Sequence, residues 1–190
     1  MRNFTLSLLL ASASLSSGAE FNIDTAHSGV QFGVRHMMVS KVRGSFSKVA
    51  GKVTYDPKNL AATSIDATID VNTVNTQDAK RDAHLKSPDF FNVEKFPTMT
   101  FKSKKVTAAS GGNLTVLGDL TLHGVTKEVS LAVAPSEPVK TPQGVRMGAT
   151  ATTKINRQDF GVTWSRQMDG GGVVVGDEVE ITIDIEMIAK

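Results

Sequence analysis

Four histidines, His27, His36, His84 and His123, are the side chains of this sequence best suited to holding a metal or moving protons. None stands at i, i+4 from another. There is no His-Glu-x-x-His run and no cysteine, so a zinc site would have to be assembled through space from distant segments. A set of His27, His36 and His84 would serve a metal-assisted hydrolase, which is one alternative reading. The other is that these rings satisfy turn backbones or line the mouth of a cavity. The spacing makes no positive case for an ion, and neither metal nor cofactor is expected.

Other chemistry is weaker still. Ser28, Ser40, Ser87 and Ser165 are present, but none sits in a Gly-x-Ser-x-Gly elbow. Asp66 and Asp70 fall on the wet side of an alternating segment, where carboxylates solvate a sheet. Gly170-Gly171-Gly172 lacks the Lys-Ser/Thr that a phosphate loop needs, and reads as a hairpin loop. Arg81 and His84, three apart on a short helical segment, share a face and suit a polar or anionic group at a pocket mouth. Arg81 has an equally good use in pairing with Asp78 or Asp82.

These residues must be positioned mostly by strands. Val30, Phe32 and Val34 alternate with Gln31 and Arg35. Ile65, Ala67, Ile69 and Val71 alternate with Asp66, Thr68, Asp70 and Asn72. Val179, Ile181, Ile183 and Ile185 alternate with Glu180, Thr182, Asp184 and Glu186. Period two over such lengths gives strands with one dry and one wet face, as antiparallel sheets allow. Further strands are expected at 41–46, 51–55, 99–106, 113–122, 127–134, 145–155 and 162–164. About nine strands, several longer than a sandwich usually holds, favour an elongated barrel with room inside for a ligand. The exception is a short helix over residues 77–86, capped by Thr76 and closed by Pro88, with Leu85, Phe90, Phe91 and Phe96 around it.

The N-terminus reads as a secretory signal over residues 1–19. Arg2 precedes the apolar run Phe4–Ala11, and Ser17-Gly18-Ala19 offers a cleavage site. Residues 20–190 then form one domain, without cysteine and therefore without disulfides, in the periplasm. A formal charge of +2 with no basic run longer than Lys104-Lys105 points to no nucleic-acid partner.

Several blocks in this order resemble the YceI-like family of periplasmic polyisoprenoid-binding proteins. They are Asp24-Thr25-Ala26-His27-Ser28, Phe32-Gly33-Val34-Arg35-His36, Val42-Arg43-Gly44-Ser45-Phe46 and Arg81-Asp82-Ala83-His84-Leu85. Next come Ser87-Pro88-Asp89-Phe90-Phe91, Phe96-Pro97, Gly118-Asp119-Leu120-Thr121-Leu122-His123-Gly124, Ile155-Asn156-Arg157-Gln158-Asp159-Phe160-Gly161 and Val175-Gly176-Asp177. Phe21 stands where the family usually has tryptophan. The resemblance spans residues 21–187. It implies an all-β, extended antiparallel eight-stranded barrel, lipocalin-like in outline, with the short helix near its opening. It also implies a non-enzymatic carrier or sequestering role for a long isoprenoid or fatty ligand.

On that expectation Phe32, Val34, Ile69, Val71, Met99, Phe101, Leu120, Leu122, Met147 and Trp164 wall the lumen. Leu85, Phe90 and Phe91 wall its entrance, as a lid. His36, Arg81 and His84 form a polar mouth. Transient membrane contact and a homodimer are compatible with this arrangement, and a filled barrel acting as an interaction module is the remaining alternative.

Overall fold

The computed structural model describes residues 18–190, so the expected signal sequence lies outside the described residues except for Gly18 and Ala19. In chain order the elements are β1 (Ala19–Ile23), β2 (Gly29–His36), β3 (Ser40–Phe46), β4 (Val49–Tyr55) and β5 (Ser64–Asp70). They continue with α1 (Ala79–Lys86), β6 (Thr98–Ala108), β7 (Leu114–Leu122), β8 (Val125–Pro135), β9 (Val139–Thr141), β10 (Gly144–Asn156) and β11 (Val175–Ala189).

The strands close on themselves. Around the ring the order is β11-β1-β4-β5-β6-β7-β8-β10 and back to β11, an antiparallel barrel of eight strands. Closure removes the free edges that an open sheet would expose. β11 makes it possible by being long. Its C-terminal end pairs with β1 (Ile23 opposite Met187), and its N-terminal half pairs with β2 (Phe32 opposite Ile181). β2 and β3 thus prolong the wall above β1 and β4 as a projecting hairpin. The opposite edge of β11 runs with β10 from Ile188 opposite Arg146 to Glu178 opposite Asn156, a ladder of 11 pairs. At the usual rise per residue that is roughly 35 Å of continuous wall.

Alternation decides which side chains face in. Outside, Lys102 pairs with Asp66, Lys154 with Glu178, and Lys104 with both Asp119 and Glu128. These exposed pairs contribute little each but keep the outer face wet. Inside, Phe101, Val106, Leu114, Val116, Leu131, Val133 and Ala151, from β6, β7, β8 and β10, pack together as one buried apolar cluster.

Tight turns carry the reversals. His123 and Gly124, at φ of 52° and 75°, join β7 to β8, and a Cβ on Gly124 would lie 2.5 Å from the Phe96 ring. Gly44 serves a close approach instead: a Cβ there would lie 2.4 Å from the Phe32 ring and 2.7 Å from Thr76 Cγ2. Glycine therefore lets an inward ring and the segment before α1 meet across β3.

Four local expectations differ from the structure. Residues 162–164 are not a strand, because the Arg157 guanidinium takes the Val162 and Trp164 carbonyls away from any ladder. β5 ends at Asp70, whose carboxylate accepts from the Asn72 amide and turns Val71–Thr73 into a 3-10 turn. Asp78, not Thr76, caps α1, accepting from the Arg81 amide. β1 and β9 are additional short strands.

Candidate functional site

The inward residues of the ring do not fill it. They enclose a cavity of about 400 Å³, within the size range of small-molecule sites. Its wall is almost wholly hydrocarbon. Val30, Phe32 and Val34 come from β2, Ile65, Ala67 and Ile69 from β5, and Met99 and Phe101 from β6. Leu120 and Leu122 come from β7, Met147, Ala149 and Ala151 from β10, and Ile181, Ile183 and Ile185 from β11. The three β11 isoleucines face inward and yet are only half-buried. In a close-packed interior such residues would be fully covered. The surface they retain is the wall of the lumen.

α1 and the turn after it stand across one end. Thr76 is buried and bonded on every side: its amide and hydroxyl donate to Asp82 at 2.8 and 2.5 Å, and its hydroxyl and carbonyl accept from Arg81 at 2.8 Å each. The Arg81 guanidinium is thereby fastened to Thr76, in the segment before the helix, rather than to the carboxylates of Asp78 or Asp82. After α1 the chain folds back, with the Phe91 amide donating to the Leu85 carbonyl at 2.9 Å. That reversal aims Leu85, Phe90 and Phe91 at the cavity. His84 Nε2 lies 2.9 Å from Asp89 Oδ2, an arrangement that fixes the ring plane.

Rings close the opening. His84 meets Phe90 and Trp164 edge-on, at 5.0 and 5.2 Å between centroids, and Phe90 lies 5.1 Å from Trp164. Phe91 meets Phe46 at 5.7 Å, and Phe46 meets Phe32 at 5.5 Å. These are favourable aromatic geometries, and they link the α1 turn to the wall of β2 and β3 and to the loop after β10.

That loop is held by Arg157, which is 5% exposed. Its Nε donates to the Gly176 carbonyl, its Nη1 to Val162 and Trp164, and its Nη2 to Val175 and to Asp177 Oδ1. Every N–H of the fork is used. Burial pulls its pKa below the ordinary arginine value, and Asp177 opposes that pull. Arg157 thus sets the position of Trp164 and offers no donor to a ligand.

Fifteen of the sixteen expected site residues lie on the cavity: the polar mouth of His36, Arg81 and His84, and the apolar set except for one member. The exception is Val71. It is fully buried in the 3-10 turn after β5 and packs in the shell behind the lumen. Arg157, Tyr55 and the β11 isoleucines are lining residues beyond the expected set. The isoleucines were readable from their alternation. Arg157 had no such signal, since its partners lie 5 to 20 residues further along the chain.

The histidines do not converge into one metal site. Among the described residues, the group whose ligating atoms come together is Asp24, His27 and Glu186. Arg146 already supplies its cation, reaching Asp24 Oδ2 at 2.9 Å and bonding Glu186 Oε1. Hydrogen bonds from His27 and then Arg146 hold the Asp24 carboxyl down at about 2. Ser28 Oγ bridges to the Glu186 backbone at the same place. The cluster pins the chain where β11 exchanges β1 for β2.

Comparison with known proteins agrees with this architecture. A family model described as YceI-like domain matches residues 21–187. A UPF0312 protein of Vibrio cholerae serotype O1 is 38% identical over 150 residues, covering 77% of this chain and 79% of that protein. The crystal structure of Burkholderia cenocepacia BcnA is similar with a TM-score of 0.76 at 26% identity, over 86% of this chain and 98% of that one. A polyisoprenoid binding domain from Saccharophagus degradans, 16% identical, shares the fold with a TM-score of 0.65 over 90% and 98% of the two chains.

Proposed function

The chain belongs to the YceI-like family, and from that premise we propose that its barrel binds the hydrocarbon tail of an isoprenoid or other long-chain amphiphile. The observation that carries the reading is the hydrocarbon wall of a cavity whose inward isoleucines remain incompletely covered. The polyisoprenoid binding domain that shares the fold supports the same ligand class.

The physics of such a site needs little polar chemistry. Each buried methylene is worth about 0.8 kcal/mol, so about ten of them give roughly 8 kcal/mol before ordering costs, the scale of a micromolar affinity. Polar groups are then needed only at the rim. His36, Arg81 and the neighbouring Arg35 stand there, and two of the Arg81 nitrogens are occupied by Thr76, leaving Nη1 for a polar or anionic head group. No group in this arrangement needs to act as a nucleophile or base, and we read the protein as a binder rather than an enzyme. Its proposed role is to carry or sequester the lipid in the periplasm, after export by the N-terminal leader. No helix among the described residues is long and apolar enough to cross a membrane.

The experiment is gentle purification followed by native mass spectrometry, with solvent extraction of the same sample. A stoichiometric mass increment that dissociates as a long-chain lipid is expected. Protein that stays ligand-free after incubation with prenyl and fatty amphiphiles would overturn the reading.

A further inference from the structure

The tip of the β2–β3 hairpin breaks two local rules at once. The chain reverses at Met37-Met38-Val39, with the Val39 amide donating to the His36 carbonyl at 3.0 Å. Met37 and Met38 both sit at positive φ, 51° and 59°. Side chains with a Cβ resist that region, and reversals built from two such residues strongly prefer Asn-Gly. The three residues are also 45%, 63% and 83% exposed, and they account for all but Val139 of the exposed large hydrophobics among the described residues. Folding alone favours neither feature. Strain and apolar exposure in one place mark a surface kept for contact.

The surroundings say what kind of contact. The Met37 amide donates to the Val174 carbonyl, so the tip is tied to the loop 165–174. There Met168 and Met38 flank Gly172, whose Cβ would stand 3.2 Å from the Met168 methyl. Val174, Val175 and His36, directly behind the tip, line the cavity. Three exposed arginines flank the tip: Arg35 on β2, Arg43 on β3 and Arg166 at the foot of the loop, and none is in an ion pair among the described residues. Lys41 is neutralised by Glu180 at 2.5 Å, and Asp169 is the unpaired acid on the loop. By strand rise, Arg35 and Arg43 lie roughly 7 and 14 Å from the tip. Flexible apolar side chains at the apex with cations set back behind them match the depth profile of an anionic bilayer: hydrocarbon first, then phosphate.

We propose that the Met37–Val39 tip and the 165–174 loop dock the open end of the barrel onto an anionic phospholipid surface. The apolar apex enters the interface and Arg35, Arg43 and Arg166 meet the phosphates. The inference rests on the lipid-lumen reading for its purpose, which is to bring the mouth to where a lipid can leave the bilayer. The docking itself does not depend on it.

The test is cosedimentation of the mature protein with vesicles of phosphatidylcholine mixed with phosphatidylglycerol, against pure phosphatidylcholine, at low and high salt. Met37→Asn with Met38→Gly supplies the residues the turn prefers while removing the apolar apex. Its fold is expected to melt at the same temperature or higher, while its partition onto mixed vesicles falls at least about tenfold. Replacing any one of the three arginines by Gln is expected to weaken binding about fivefold. Wild type that ignores mixed vesicles, binds pure phosphatidylcholine equally, or is matched by the Asn-Gly variant overturns the proposal. Vesicle binding that persists in a protein shown to take up no lipid sustains the docking and removes the lumen reading instead.

Discussion

Replacing Arg157 by methionine tests whether one buried fork holds the mouth of the barrel. The change keeps most of the stem volume and deletes all five N–H donors. Four carbonyls, of Val162, Trp164, Val175 and Gly176, lose this donor, while Asp177 Oδ1 keeps the Gln158 amide at 2.7 Å. The bond to Val162 is the buried one, at 2.6 Å, so its carbonyl is the group least able to recover a partner from water. Such a loss costs about 1–3 kcal/mol, and the three half-buried carbonyls add about 0.5–1 kcal/mol each. Relief of the arginine's own desolvation works in the other direction. The net expectation is about 3 kcal/mol, which for a domain of this size lowers the Tm by roughly 6–12 °C.

The assay has a built-in local reporter. Trp164 is the only tryptophan in the chain, it lines the cavity, and its own carbonyl is one of the five acceptors at 2.8 Å. Its emission should shift red in Arg157→Met as the loop admits water, at temperatures where far-UV circular dichroism still reports an intact barrel. Arg157→Lys keeps the charge but has three donors on one nitrogen, so it should recover less than half of the lost stability. A methionine variant melting within about 2 °C of wild type, with unshifted Trp164 emission, would refute the reasoning.

Three further outcomes are expected. Phe90→Ala with Phe91→Ala removes the rings that meet Trp164 and Phe46, so release of a bound lipid, followed by Trp164 fluorescence, should quicken at least about tenfold with the barrel intact; unchanged retention would sink the lid. Ala149→Phe puts a ring into the lumen from β10; ligand uptake by native mass spectrometry should fall while the Tm holds or rises, and undiminished uptake would place the ligand elsewhere. Asp24, held at about 2 instead of its ordinary 3.8, contributes stability that is complete above about pH 4 and is lost as the pH falls through about 2. Urea titrations of wild type and Asp24→Asn should therefore converge across that window, and a gap independent of pH would remove the His27 and Arg146 bonds as its cause.

The parts of this fold that could be read in advance are those governed by period two. Ile181, Ile183 and Ile185 alternate with charged or polar neighbours because one face of β11 is wet and the other is not. Wherever a side chain overrides the backbone, that reading fails. Val162–Trp164 has the composition of a strand, but Arg157 claims two of its carbonyls. Val71 continues the alternation of β5, but the Asp70 carboxylate turns the chain before it. Thr76 has a good capping residue's chemistry, but Asp82 and Arg81 occupy both its hydroxyl and its backbone, leaving Asp78 to cap α1. β9, only three residues long and just after Pro138, carries too little alternation to register.

The site and the stability of this barrel are one physical problem. An ordinary domain of this length covers its isoleucines with one another, but here a row of them faces an open lumen. The wall must therefore hold its shape without full packing behind it, through ladder closure, the buried apolar cluster of β6, β7, β8 and β10, and the fastening of the mouth by Arg157 and Thr76. On the proposed function, a hydrocarbon chain in the lumen would supply the missing contacts. By mass action a ligand at about a hundred times its Kd adds about 2.7 kcal/mol to folding, comparable to what Arg157 contributes. Occupancy and fold stability then rise together, and the residues that close the mouth act on both. Weakening Phe90 and Phe91 speeds release and, through release, lowers the melting temperature of the loaded protein more than that of the empty one.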